Sequence, residues 1–199
     1  MKRLACITFC ICLVLWSLAV NAFDSELWPG EGIPRFAAKT DSLVLHKEPS
    51  LSSPVVAKHP VEKGEEILYD QTRFRTIRPG RVTTRQSGVL LGRSLGNITY
   101  LSKERYYSQE PGWTAIPYQE SDSFEYLQYR AEGSCLIRRN SEVLEIEGCP
   151  WLSGSQAHHF HVEAKPIMQW WIRVIDKHKQ PVGWLLVDEK SVEFLPRMF

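Results

Sequence analysis

The chain has 199 residues, with 24 Lys or Arg against 23 Asp or Glu, so its formal net charge is only +1. This balance excludes a strongly basic nucleic-acid-binding protein. With 43% hydrophobic residues, the composition also excludes a disordered or collagen-like chain and allows one or two compact domains.

The first 22 residues have the pattern of a secretory signal peptide. Lys2 and Arg3 precede a long apolar run, and cleavage is expected after Ala22. The alternative is a retained anchor helix, although an apolar run of about 17 residues is at the lower limit for crossing a bilayer. Cleavage predicts a periplasmic or secreted protein with no membrane attachment.

Cysteine usage supports export. Of the five cysteines, Cys6, Cys10 and Cys12 lie in the leader, so removal of the leader leaves Cys135 and Cys149. An even pair in an exported protein predicts a disulfide. The alternatives are a reactive thiol or half of a metal site. These would need a His or Cys partner at ligand spacing, and neither cysteine has one beside it.

After the leader, residues 23–36 contain several Pro and Gly and no hydrophobic period, which predicts a linker. Short apolar pieces cut by turn residues then follow to the end of the chain. Their length and spacing, and their content of Val, Ile and aromatic residues, are typical of all-β barrels or sandwiches. The predicted strands are residues 43–46, 55–58, 66–69, 74–77, 82–84, 98–101, 113–116, 124–129, 135–138, 143–146, 160–162, 170–175, 184–187 and 192–195.

Turn residues divide these strands. Pro79 and Gly80 occupy the centre of a predicted type II turn, and Asn140 with Ser141 predicts a tight hairpin. Gly64 indicates another turn. The polar segment 119–123 is the predicted boundary between a domain at 37–120, with an insertion at 88–111, and a domain at 124–199.

Two segments resemble bacterial SH3-like (SH3b) domains. Residues 40–67 are similar to the opening half, with Leu43-Val44-Leu45, a Pro-Ser-rich stretch, Val55-Val56 and Lys63-Gly64-Glu65. Residues 170–195 are similar to the closing half, with Trp170-Trp171-Ile172 followed by Val182-Gly183-Trp184. The resemblance implies two SH3-like barrels in tandem. It also implies a bacterial, non-catalytic protein that binds cell-wall peptide or glycan, or a periplasmic protein.

The adjacent tryptophans give the first candidate for a binding site. Neighbouring residues on a strand point to opposite faces, so Trp170 and Trp171 cannot enter the same core. Trp170 shares a face with two aliphatic residues, whereas Trp171 shares a face with Arg173. Trp171 is therefore predicted to face outward and to bind ligand together with Arg173, with Trp113 as a further aromatic contact. The alternative for Trp171 is packing between the two barrels.

An arginine series gives the second candidate. Arg75, Arg78 and Arg81 lie around one predicted hairpin, and guanidinium groups bind carboxylate and phosphate oxygens. These residues are the predicted anion contacts. The alternative is a solvated face balanced by nearby acidic residues.

The histidine-rich segment 158–161 gives the third candidate. His159 and His161 would share one face of a strand and could chelate Zn²⁺ or Cu²⁺. No further ligands follow a metal-site spacing, so surface histidines without metal are the favoured interpretation.

No common hydrolase or nucleotide-binding motif is present, so the sequence favours a binding protein without a cofactor over an enzyme. Two other functions stay open. One is a metal-dependent hydrolase that uses the histidine-rich segment, and the other is an accessory or inhibitor protein for an exported enzyme.

Overall fold

The computed structural model describes residues 22–28, 32–108, 112–130, 133–152 and 155–195. These ranges contain sixteen strands, one short helix and one 3₁₀ turn, which confirms the all-β prediction. The predicted leader lies almost wholly outside the described residues, and its cleavage stays a prediction. No helix within the described ranges is long and apolar enough to cross a membrane.

The first sheet has seven strands in the order β4-β3-β15-β14-β5-β1-β8. All neighbours are antiparallel except β1 and β8, which are parallel. The strands are β1 (Phe23–Ser25), β3 (Ser42–His46), β4 (Val55–Pro60), β5 (Tyr69–Arg78), β8 (Tyr100–Leu101), β14 (Ile167–Ile175) and β15 (Pro181–Leu186).

The second sheet also has seven strands, in the order β13-β6-β10-β11-β12-β7-β9, and all its neighbours are antiparallel. The strands are β6 (Gly80–Thr84), β7 (Gly88–Gly96), β9 (Thr114–Tyr118), β10 (Ser123–Tyr129), β11 (Cys135–Arg139), β12 (Glu142–Ile146) and β13 (Phe160–Ala164). A small third sheet pairs β2 (Arg35–Ala38) with β16 (Val192–Leu195), and helix α1 spans Lys103–Ser108.

A continuous pair of strands joins the two large sheets. Strand β5 passes through Pro79 into β6, while its partner β14 follows directly after β13, which pairs with β6. A Cβ atom on Gly80 would lie 2.5 Å from the carbonyl oxygen of Ala164, so only glycine fits at this close approach. The predicted type II turn at Pro79-Gly80 is therefore wrong, because both strands continue from one sheet into the next.

The strand pairing crosses the predicted domain boundary at residues 119–123. Strands from before and after residues 119–123 pair within each large sheet, as β5 does with β14 and β6 with β10. The predicted linker at 23–36 contains β1, where Phe23 is fully buried, and the start of β2. The sequence pattern did not reveal these short strands, because the segment contains several Pro and Gly residues and too few apolar residues to form a period.

Both segments that resemble an SH3-like domain lie in one sheet. The opening segment forms β3 and β4, and the closing segment forms β14 and β15, with β15 paired to β3. The chain between them, residues 80–164, supplies the whole second sheet. Strands β3, β4, β14 and β15 of the two segments are thus parts of one sheet, while β16 pairs with β2, and neither large sheet closes on itself in the described ranges.

Three apolar clusters hold the sheets together. One contains residues of the first sheet and of the small third sheet, around Phe36, Leu45 and Ile172, and a second lies on the second sheet, around Tyr118, Phe124 and Ile137. The third contains residues from both sheets and the segment between them: Phe23, Leu27, Leu95, Ile98, Leu101, Leu127, Leu136 and Val143. This third cluster packs the N-terminal strand against the second sheet, so the fold has a shared core.

The predicted disulfide is confirmed. Cys135 and Cys149 are bonded, with their Cα atoms 5.3 Å apart, and both are buried against the second sheet. The hairpin between β11 and β12 is confirmed as well, because Asn140 and Ser141 take φ values of 50° and 69°, which suit a type I′ turn.

Candidate functional site

A groove of about 330 Å³ opens at one end of the first sheet. Its walls are β3, the end of β4, the segment between β4 and β5, and the turn between β14 and β15. The floor is apolar, formed by the side chains of Leu43, Val61, Ile67, Leu68, Val174 and Ile175. This volume is at the lower end of the range for small-ligand pockets, which suits a single side chain or a short peptide end.

The acidic residues on the groove rim are already hydrogen-bonded within the protein. Glu66 accepts hydrogen bonds from both Nε and Nη2 of Arg35, and Glu65 accepts one from the backbone N–H of Glu62 at 2.8 Å. The hydrogen bond from Arg35 holds the pKa of Glu66 below its ordinary value. These carboxylates stabilise their own loops.

Asp176 has the same role in the turn between β14 and β15. Its Oδ1 accepts hydrogen bonds from the backbone N–H groups of His178 and Gln180, each at 2.8 Å. The hydrogen bond from Gln180, followed by that from His178, lowers the pKa of Asp176. The carboxylate thereby fixes the conformation of the turn that carries Lys177 and His178.

The basic residues on the rim are in the opposite situation. His59, Lys177 and His178 line the groove. In the described part of the chain, none of these side chains forms a hydrogen bond or an ion pair. The groove therefore combines an apolar floor with basic groups that have spare hydrogen-bonding capacity, and this combination suits an amphipathic ligand that ends in a carboxylate.

Trp171 is not the exposed residue that the sequence predicts. Its exposed fraction is 0%, and it lies between Arg73 and Leu186 on the neighbouring strands, with the His46 ring against it in an edge contact. The two tryptophans do occupy opposite faces. The prediction failed because the long side chains of neighbouring strands cover Trp171, which a single strand pattern does not reveal.

Trp170 is the partly exposed tryptophan of the pair. It contacts the rings of Trp28, Phe36, Phe74 and Phe194, with centroid distances from 4.4 to 5.5 Å. These contacts cap the core of the first sheet, and they account for the half-burial of Trp170.

The predicted anion contacts are largely paired inside the protein. Arg75 binds Asp24 through two hydrogen bonds of 2.8 Å, and Arg173 binds Asp70 through two of 2.8 and 2.6 Å. Each guanidinium is thereby occupied by a carboxylate, and the arginines do not converge on one site. The alternative of a balanced face describes these two residues better than the predicted ligand site does.

The remaining predicted contacts lie apart from the groove. Arg78 is exposed, and Arg81 is exposed with Glu163 at 3.9 Å. Trp113 is 38% exposed, with its ring centre 5.6 Å from Cζ of Arg93 on the second sheet. None of the six predicted contacts lines the groove.

The histidine-rich segment does not form the predicted pair on one strand face. His159 lies in the 3₁₀ turn Ala157–His159, where its Nδ1 is 3.2 Å from the Tyr118 hydroxyl, and His161 lies on β13 with Nδ1 3.2 Å from Nη2 of Arg85. The described residues contain no group of three or more His, Cys, Asp or Glu side chains placed to hold a metal ion.

The sequence analysis missed the groove because its walls come from distant parts of the chain. The basic turn 177–179 between two apolar strands is a visible signal of an exposed charged hairpin. Nothing in the sequence brings it next to His59. Comparison with known proteins adds no relative, since no protein-family model, curated protein or solved structure matches this chain.

Proposed function

We propose that this protein is an exported, non-catalytic binding protein whose groove holds a peptide with a free carboxylate, of the kind present in bacterial cell-wall stem peptides. The observation that carries the proposal is the difference between the two kinds of charged group on the rim. Among the described residues, the rim carboxylates accept hydrogen bonds from the protein, whereas the side chains of His59, Lys177 and His178 form none. A ligand carboxylate would complete their hydrogen bonding while an apolar side chain covered the floor.

We further propose that the first sheet, together with β2 and β16, is one SH3-like barrel interrupted by residues 80–164. The order of strands supports this, because the opening and closing segments of the resemblance pair through β3 and β15. The Cys135–Cys149 disulfide is compatible with a periplasmic or secreted location.

Binding of matched peptides tests the proposal. Titration calorimetry would compare a short alanine-ended peptide that has a free C-terminal carboxylate with the same peptide amidated at its C-terminus. We expect the amidated form to bind at least tenfold more weakly, because hydrogen bonds to a charged group contribute about 1.5–3 kcal/mol.

The variants Lys177→Ala and His178→Ala should reduce binding of the free acid to the level of the amide. Lys179→Ala is the matched control, because Lys179 is an exposed residue of the same turn that does not line the groove. Leu68→Ser should weaken both peptides equally by exposing a polar group on the floor. Equal binding of acid and amide by the unaltered protein, or an effect of Lys179→Ala as large as that of Lys177→Ala, would refute the groove as a carboxylate site.

A further inference from the structure

A cluster of buried charged residues lies on the second sheet beside α1, away from the groove. At its centre is Glu145 of β12, which is 2% exposed. Its Oε2 accepts a hydrogen bond of 2.8 Å from Nε of Arg93, and its Oε1 accepts hydrogen bonds from the Tyr106 hydroxyl at 3.0 Å and the Ser134 hydroxyl at 2.8 Å. Three donors therefore occupy both oxygens of the carboxylate.

Arg130 belongs to the same cluster, but it has no hydrogen-bond acceptor among the described residues. Its Cζ lies 4.2 Å from the centre of the Tyr106 ring, and Cζ of Arg93 lies 4.5 Å from the same centre. Arg130 is only 8% exposed, and both Nε and Nη1 are buried without a hydrogen-bond partner in the described part of the chain. The ring contact offsets part of the desolvation of the guanidinium, yet it leaves two N–H groups unpaired.

Comparison with the other buried arginines shows that Arg130 is exceptional. Within the described ranges, the buried arginines are Arg93, Arg130 and Arg138. Arg93 pairs with Glu145, and Arg138 pairs with Glu125 at 2.8 Å, whereas Arg130 has no carboxylate. Buried charges in proteins are normally paired, because an uncompensated charge is strongly unfavourable away from water.

We infer that Arg130, with Arg93 and Tyr106 beside it, binds an oxyanion, either a carboxylate or a phosphate or sulfate group. The cluster holds two guanidinium groups for one carboxylate, so an oxyanion that accepts a hydrogen bond from Nε of Arg130 balances its charge and satisfies one of its two unpaired N–H groups. Tyr106 is half-buried, and Trp113, whose ring centre lies 5.6 Å from Cζ of Arg93, is partly exposed, so the cluster adjoins the protein surface. This site is independent of the groove, which lies on the first sheet.

Arginine side-chain NMR together with thermal unfolding tests the inference. The probes are sodium phosphate and sodium acetate, each compared with sodium chloride at equal ionic strength. We expect at least one oxyanion to shift the Nε–H resonance of Arg130, assigned from Arg130→Lys. The same anion should raise the melting temperature by about 5 °C at a concentration a hundredfold above its Kd. A response to phosphate alone identifies a phosphate-type ligand, and a response to acetate alone identifies a carboxylate.

Arg130→Met should abolish the rise in melting temperature, whereas Arg78→Met, which removes an exposed arginine, and Lys177→Ala in the groove should preserve it. If Arg130→Met does not fold, the resonance in the unaltered protein still decides. Two outcomes overturn the inference. One is that neither oxyanion moves the resonance. The other is that Glu110→Gln or Glu132→Gln moves it without added anion, because the acceptor would then belong to the chain itself.

Discussion

The two large sheets differ in how the chain builds them. The second sheet comes from residues 80–164, a stretch that also supplies the short strand β8 to the first sheet, and a disulfide closes the central hairpin of the second sheet. The first sheet assembles strands from residues 23–25, 42–78, 100–101 and 167–186, and no disulfide joins its described strands. Contacts that are distant in sequence cost more loop-closure entropy, so the first sheet depends on its neighbour to bring β5 and β14 together.

The groove lies on the sheet that is held together by distant contacts. Its rim groups come from β4 and from the turn after β14, which lie more than a hundred residues apart in the chain. The buried arginine cluster lies on the continuous sheet. The groove therefore depends on the whole fold, whereas the arginine cluster is built by a single stretch of chain.

The largest effect is expected from Trp171→Ala. Trp171 is fully buried in the first sheet, so its truncation should destabilise the protein by about 4 kcal/mol through lost burial and a cavity. Trp113→Ala on the second sheet is the control and should have less than a quarter of that effect, because Trp113 is 38% exposed. Urea unfolding measures both. Equal effects would mean that Trp171 is not a core residue.

Gly80→Ala tests the point where β5 continues into β6 and the chain passes from the first sheet to the second. The new Cβ would lie 2.5 Å from the oxygen of Ala164 and 2.8 Å from the nitrogen of Pro166, both backbone atoms that cannot turn away. We expect a loss of about 3 kcal/mol, since overpacking forces the backbone to shift. Gly112→Ala is the control, because a Cβ added there would meet no neighbouring atom within 4 Å. An unchanged urea midpoint for Gly80→Ala would show that the strands can separate there at no cost.

Removal of the disulfide should affect the two sheets unequally. The loop it closes is 14 residues in sequence separation, for which chain entropy gives roughly 3 kcal/mol, somewhat less once local structure in the unfolded state is counted. In Cys135→Ala/Cys149→Ala, hydrogen exchange should accelerate more in β11 and β12 than in β3 and β4. Uniform acceleration would mean that the sheets unfold only as one unit.

The smallest effect is expected from the ion pair between Asp70 and Arg173. The side-chain hydrogen bond from Arg173 holds the pKa of Asp70 below its ordinary value, so this pair stabilises the folded state above the unfolded pKa of about 4. The stabilisation is lost as the pH falls through the lower folded pKa. Because both side chains are partly exposed, the contribution is discounted to well under 1 kcal/mol.

Asp70→Asn should remove this part of the acid destabilisation, and unfolding midpoints between pH 5 and pH 2 measure it. Asp41→Asn, which alters an exposed aspartate, is the control. A pH profile for Asp70→Asn that overlays the unaltered profile would exclude a role for the pair.

Local features of the sequence predicted local structure well. Alternation of apolar residues predicts most strands, Asn140-Ser141 predicts the hairpin, and the two remaining cysteines predict the disulfide. The strands and the hairpin depend on residues that are close together in the chain. The disulfide could be predicted because two cysteines allow only one pairing.

The pairing of strands could not be predicted in the same way. Apolar alternation shows that a strand exists but not which strand lies beside it, so β14 was assigned to a second domain although it pairs with β5. The predicted exposure of Trp171 was wrong for the same reason, because its neighbours Arg73 and Leu186 lie on adjacent strands. The groove depends on such pairings throughout, and for this reason it had no counterpart in the sequence analysis.

The strands that continue from one large sheet into the other, β5 into β6 and β13 into β14, also bear on how such a chain could arise and be re-engineered. Arg78 and Ile167 are paired neighbours, so the two ends of the segment that forms the second sheet leave the first sheet side by side. A short loop could join these two residues, so the segment between them could be deleted as a unit. Its excision would remove β8 from the edge of the first sheet and would uncover Phe23 and Leu27, which share a cluster with Leu127 and Leu136. A minimal version of the protein would therefore need polar replacements at those two N-terminal positions to stay in solution.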